Sequence, residues 1–338
     1  MNLWHRKTAD EQASDAERKR EQDALRQLVA QRRAQEQQRQ QDDLERLRRG
    51  GIPTEAEHRL RELSGARPGD LAFTSDLSPD EAALLRRRGY RVLGLVTGSA
   101  VYHVGVAYAS AYQDCEVREL SGAYNEATRL AVTRMEQEAR LLGAHGVVGV
   151  RYDMVRHEWS QKMIEVQLVG TAVTAPGAAP AEPWLSDLSG QEWWSLTRAG
   201  YDPAGLVWGH CTWFILTQGW DQMTQMSWYN QELGHFSDAL RQCRDRAVHT
   251  MQSLAAHNHA NGVVGVRVAR KLEEIHLSGT GMNAAYEREH HNLTLSLIGT
   301  AVRERPDAPR RVRGTVNVLS LRDGRLLPAR QPADATFE

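Results

Sequence analysis

An α+β fold built on an internal duplication is predicted by three observations. The hexapeptide GVVGVR occurs at Gly146 to Arg151 and again at Gly262 to Arg267, 116 positions later. Each copy is preceded by an amphipathic segment with apolar residues three and four apart, the mark of a helix packed on one face. Each is followed by a segment of period two, the mark of a strand, so both units read strand, helix, strand, strand.

The elements follow in order. From about Asp10 to Arg49 the chain is Arg, Glu, Asp, Gln and Ala without Gly or Pro, and Gly50, Gly51 and Pro53 end the run. It predicts one long helix. Leu25, Leu28, Val29, Leu44 and Leu47 do not sustain a heptad, so the helix is expected to be a solvated arm that docks a partner protein or another copy of the chain. Thr54 to Leu63 predicts a short helix, and Ser64 to Ser75 a linker.

DLSPDEAALLRRRGY (Asp76 to Tyr90) leads into GLVTG, and DLSGQEWWSLTRAGY (Asp187 to Tyr201) leads into GLVWG, at a constant spacing of 111. Ser78 and Ser189 open a short helix in each unit. SGAYNEATR (Ser121 to Arg129) answers ELGHFSDALR (Glu232 to Arg241), which places Asn125 and Ser237 as N-caps of the long helices. From Asn125 and Ser237, 112 apart, the spacing grows by four to reach 116, about one helical turn, so the second helix is expected to be longer. Its apolar face is Ala239, Cys243, Ala247, Met251, Leu254 and Ala255, against Ala127, Leu130, Ala131, Met135, Ala139 and Leu142 in the first unit. The last strand has Ile164, Val166, Leu168, Gly170 and Ala172 on its core face, matched by Leu293, Leu295, Leu297, Gly299 and Ala301, and each ends in GTAV. Thr174 to Pro183, rich in Pro and Ala, is an extended spacer. The domains are therefore 1–50 (charged arm), 51–75 (short helix and linker), 76–174 (first unit), 175–186 (linker), 187–303 (second unit) and 304–338 (tail).

GLVTG, then a helix ending LLGAHGVVGVRYD (Leu141 to Asp153), then a strand ending VGTAV (Val169 to Val173), resembles the YbjQ-type heavy-metal-binding domain family. GLVWG, ANGVVGVR and IGTAV repeat the order in the second unit. The resemblance implies a dodecin-like β-α-β-β fold, an antiparallel sheet packed by a helix, assembled into a ring of five. Two departures stand out: Gly146 and Gly262 stand where the family often has alanine, and Asp153 of the first unit is Ala269 in the second. Because five is odd and each chain has two units, the expected assembly is a pentamer of chains with two stacked rings, each made of one kind of unit.

The glycines of GVVGVR follow a helix and enter a strand, the wrong polarity for a phosphate loop. They read as a helix C-cap and a close-packed strand glycine. The metal candidates are His257 and His259 at the end of the second long helix and His290 and His291 at the start of the last strand. With Cys243 or His249 they would suit zinc, copper or nickel, a divalent heavy metal being the one cofactor the residues suggest. Against this, the first unit has no matching pair, and adjacent histidines on a strand face opposite ways. Trp193, Trp194, Trp208, Trp213, Phe214, Trp220, Trp228 and Tyr229 make the second unit aromatic, which predicts interface packing, with a stacking platform for a flat ligand as the alternative.

No nucleophile elbow and no HExxH occurs, so a non-enzymatic scaffold or binding protein is expected. Net charge is −1, and no basic residue lies between Trp208 and Trp228, which argues against nucleic acid. Val92 to Tyr112 lacks charge but is broken by Gly, Ser, Thr, His and Tyr, so buried strands rather than a membrane span are expected. Three scattered cysteines and an N-terminus without an apolar core after its basic residues predict a cytoplasmic protein.

Overall fold

A computed structural model describes residues 9–65, 74–105, 113–156, 163–177, 182–217, 229–276, 289–306, 318–319 and 326–327. The long charged run forms α1 (Ala9–Arg48), whose Leu25, Leu28, Val29 and Leu44 stay exposed. After Gly50, at φ +80°, the chain turns into α2 (Thr54–Gly65), started by Asp43, which accepts from the Thr54 amide at 2.8 Å and its hydroxyl at 2.6 Å. Ile52 and Leu60 then bury themselves in the first core.

The fold is mixed α+β, with helices packed on antiparallel sheets. The first sheet has the order β1 (Arg91–His103), β4 (Met163–Thr174), β3 (Gly146–Arg156) and β5 (Trp184–Leu185), with only β5 parallel to its neighbour. The second has the order β2 (Cys115–Glu116), β6 (Tyr201–Ile215), β8 (Glu289–Glu304) and β7 (Gly262–His276). Helix α4 (Arg118–Leu141) lies on the first sheet and α6 (Gly234–His257) on the second. The short helices α3 (Pro79–Arg87) and α5 (Gly190–Arg198) both start with a capping box, Ser78 with Glu81 and Ser189 with Glu192, which satisfies two amide donors at each helix start. Residues 318–319 and 326–327 pair as β9 (Val318–Leu319) and β10 (Leu326–Leu327).

Three readings are corrected. The long helices are equal, 24 residues each, and run at a spacing of 116 from their first residue. The extra residues of the second unit precede the helix instead of lengthening it. The N-caps are Val117 and Leu233, neither with a side-chain cap bond; Asn125 lies inside α4, where its amide has a different task. In GVVGVR, Gly146 is the first residue of β3 and not a helix cap, while Gly149 (φ +69°) and Gly265 (φ +67°) sit at β-bulges between Val148 and Arg151 and between Val264 and Arg267. Only glycine enters that conformation without strain, which is why the motif repeats.

The two sequence units also touch directly. Strand β2 precedes α4 yet pairs with β6, and β5 leads into α5 yet pairs with β3. Helix α4 packs on β6 as well as on its own sheet. Within one chain, each unit thus packs against the other kind. Parts of both predicted linkers (66–73 and 178–181), the end of the uncharged stretch (106–112), Trp220 and Trp228, the enlarged loop (277–288) and most of the tail lie outside the described residues.

Candidate functional site

The first candidate is the seam between the units, centred on His210 of β6. His210 is 2% exposed and stacks on Tyr152 of β3, ring centres 5.9 Å apart. Its Nε2 lies 3.0 Å from Thr128 Oγ1 and 3.3 Å from Tyr152 Oη. Thr128 donates its own proton to the Tyr124 carbonyl, and the Tyr152 hydroxyl donates to Met154 Sδ. His210 therefore carries its proton on Nε2, and among the described residues its buried Nδ1 has no hydrogen-bond partner. Burial pushes its pKa down to about 3, so the ring is neutral at physiological pH.

Asn125 clamps the same residue through the backbone, donating to the His210 carbonyl at 2.9 Å and accepting from its amide at 3.2 Å. The Thr212 amide donates to Ser121 Oγ at 2.9 Å. This is the main-chain pairing of a sheet edge carried out by a helix and β2, and it leaves the β6 edge satisfied. Further along, Arg267 reaches the Val150 carbonyl and Asp187, whose carboxyl burial pushes up while Thr300 and Arg267 oppose the rise. Arg156 of β3 pairs with Glu273 of β7 at 2.7 Å. These contacts join side chains and backbone of the two units across the seam.

The second candidate is an open groove of about 1010 Å³ between α6 and β7. Its floor includes Leu240, Val248, Met251, Val266, Val268 and Leu297, and Arg241, Arg244 and Arg270 stand along it. Val266 and Val268 are 43% and 64% exposed. At a spacing of 116 these are Val150 and Tyr152 of the first unit, where Val150 is fully buried in the seam.

The metal candidates do not converge. His257 ends α6 and His259 follows it; both are exposed, and His259 takes the left-handed position (φ 51°) that Gly143 fills after α4. His259 offers its carbonyl to Arg303 near the C-terminal end of β8. His290 and His291 lie at the other end of that strand, which spans about 40–50 Å at the usual rise. There His290 packs on Phe214 and His291 meets Thr217 Oγ1 at 3.2 Å. Cys243 points its thiol to the Cys211 carbonyl. Among the described residues no three of His, Cys, Asp and Glu gather to hold a metal ion. Of the tryptophans, Trp193 is buried against Tyr90 and Trp184, and Trp208 is buried with the first unit's core. Among the described residues no helix is long and apolar enough to cross a membrane.

Sequence reasoning missed His210, Thr128 and Tyr152 altogether. The available signal was an asymmetry: WGHC in the second unit stands where the first has TGSA, so a histidine replaces Ser99.

The family described as "Putative heavy-metal-binding" matches residues 86–176. An encapsulin nanocompartment protein of Mycobacterium tuberculosis is 38% identical over 204 residues, covering 59% of this chain and 78% of that protein. A UPF0145 protein of Helicobacter hepaticus is 36% identical over 91 residues, 25% of this chain and 86% of the relative. A UPF0145 protein of Thermus thermophilus is 40% identical over 93 residues, 25% of this chain and 80% of the relative.

Proposed function

Since the chain belongs to the YbjQ-type UPF0145 family, we propose that it is a non-enzymatic, self-assembling scaffold or binding protein made of two YbjQ-like domains. The observation that carries this reading is the seam: the two domains meet through paired strands, a helix laid on a sheet edge and a desolvated His210, which is how subunits of a ring meet. The similarity to an encapsulin nanocompartment protein supports a place in or on a protein compartment, as part of its assembly or as its cargo. The metal- or flat-ligand reading has less support, because the histidines stand at opposite ends of β8 and the described indoles of Trp193 and Trp208 are taken up by packing.

Five chains of 38.0 kDa, about 190 kDa, are the assembly we propose. Native mass spectrometry of untagged protein is expected to show this species with no bound metal. A monomer at micromolar concentration would refute the self-assembling reading, and one tightly bound metal ion per chain would refute the scaffold reading in favour of the metal one.

A further inference from the structure

Several features of the first domain that the seam covers have counterparts on the second domain that are more exposed. On the first domain, Val150 and Val132 are buried beneath the second sheet, and the Trp184 ring lies so close over Gly146 that an added Cβ would meet it at 2.2 Å. On the second, Val266 is exposed, and a Cβ on Gly262 would meet only Val302, at 3.9 Å. Val117 and Leu233 precede the two long helices with nearly identical backbone angles (φ −84°, ψ 84° and φ −81°, ψ 82°). Before Val117 the chain is strand β2, paired with β6; before Leu233, Gln231 and Glu232 belong to no strand and are exposed.

The opposite surface repeats the pattern in reverse. On the second sheet His210, Thr212, Thr294 and Ser296 are all buried in the seam. Their counterparts on the first sheet are Ser99, Val101, Glu165 and Gln167; Ser99 and Gln167 are exposed, and Val101 is 59% exposed. Strand β1 is an edge of its sheet, and Val155, on β3 across β4 from it, is 44% exposed. One domain therefore shows an open groove and the other an open sheet face, and the chain already holds one such groove closed by one such face.

Charge says which pairs with which. Around His210 the groove side of the seam carries Asn125, Thr128 and Met154, and the face opposite carries Thr294, Ser296 and Ala269, all neutral, the charged pair Arg156–Glu273 standing apart from them. At the matching positions the open groove carries Arg241, Arg244 and Arg270, and the open face carries Glu165, Gln167 and Asp153. The replacement of Ala269 by Asp153 thus follows the replacement of Asn, Thr and Met by three arginines on the other side.

We propose that the α6–β7 groove of the second domain is the docking site for the β1–β4–β3 face of the first domain in a second copy of this chain. The contact repeats the internal seam, with Gln231 and Glu232 adding a short antiparallel strand opposite His103 and Tyr102 of the next chain, as Cys115 and Glu116 do opposite Phe214 and Trp213. Besides these changes of charge, it differs from the seam at the short helices. Glu81 accepts from the Gly190 amide at 2.9 Å, and Gly190 leaves no room for a Cβ. The matching residue is Pro79, which has no amide proton, so the α3–α5 contact is not repeated between chains. Every joint unites unlike domains, so a closed ring holds first and second domains in alternation, ten in a ring of five chains.

The proposal rests on the self-assembling reading, and its test separates the two. In the full chain, Arg241→Glu with Arg244→Glu, or Asp153→Arg with Glu165→Arg, should each weaken assembly at least tenfold by sedimentation velocity at low salt, and combining the two sets should restore it to within threefold. His103→Cys with Gln231→Cys, in a chain whose Cys115 is Ser, should give disulfide-linked ladders on mild oxidation. Assembly indifferent to both charge sets, with no ladder, overturns this interface while leaving self-assembly standing. A monomeric parent chain overturns both.

Discussion

Glu136 is the residue whose charge sits least comfortably in the fold. It lies half-buried on α4, and burial, reinforced by Glu182 and opposed by Arg140, pushes its pKa up to about 7 from an ordinary 4.5. Between those values the folded chain binds more protons than the unfolded one, so stability falls as pH rises from about 4.5 through 7. The second domain has Gln252 at the same helix position. Glu136→Gln should therefore raise stability at pH 8 by about 1–3 kcal/mol and leave it unchanged near pH 4.5, read from denaturant midpoints across that range. His210 acts in the other direction. With its pKa lowered to about 3, its contribution is intact above the unfolded value of 6.5 and is lost as pH falls towards 3. The Glu136→Gln variant isolates that acid limb.

At the scale of elements, the distance between helix and sheet is set by one glycine in each domain. A Cβ on Gly98 would stand 2.0 Å from the Ala131 carbonyl oxygen, and one on Gly209 would stand 1.9 Å from that of Ala247. Neither backbone atom can yield without moving the helix off its strand. Gly98→Ala and Gly209→Ala should each cost about 3 kcal/mol or more, while Gly122→Ala, at an exposed helix position with nothing within 4 Å, should gain about 0.5–1 kcal/mol. Thermal melts of the three variants check the ordering. The glycines of GLVTG and GLVWG were visible as a repeat in the sequence. The crossing helix that demands them was not, because close approach is a property of two segments.

For the whole molecule, the seam changes which strand face is buried. Alternation along the last strand of each unit marks Gln167 and Ser296 as equivalent outward residues, and on that pattern both should accept a charge. Gln167 is exposed, but Ser296 is 6% exposed because the first domain covers the second sheet. Gln167→Asp is expected to change chain stability by less than about 0.5 kcal/mol, whereas Ser296→Asp should cost about 2–4 kcal/mol. Equal midpoints in urea would show that the seam opens in solution.

The amino-acid sequence by itself determined the duplication, the α+β order of elements, the starts of both short helices at Ser78 and Ser189 and the apolar face of each long helix. These are local: they depend on period, spacing and a residue's own hydrogen-bonding reach along the chain. It also marked His259 and the paired His290 and His291 as chemically notable, but could not see that one β8 strand holds them apart. What only the tertiary structure decided was the relation between the domains. Two units of the same pattern give the same periodic signal whether they stack, separate or interlock, and the difference lies in contacts such as Asn125 on His210, 85 residues apart in the chain. Burial of Ser296, Thr294 and His210 follows from that docking, and no pattern within one strand can report what a different domain lays over it.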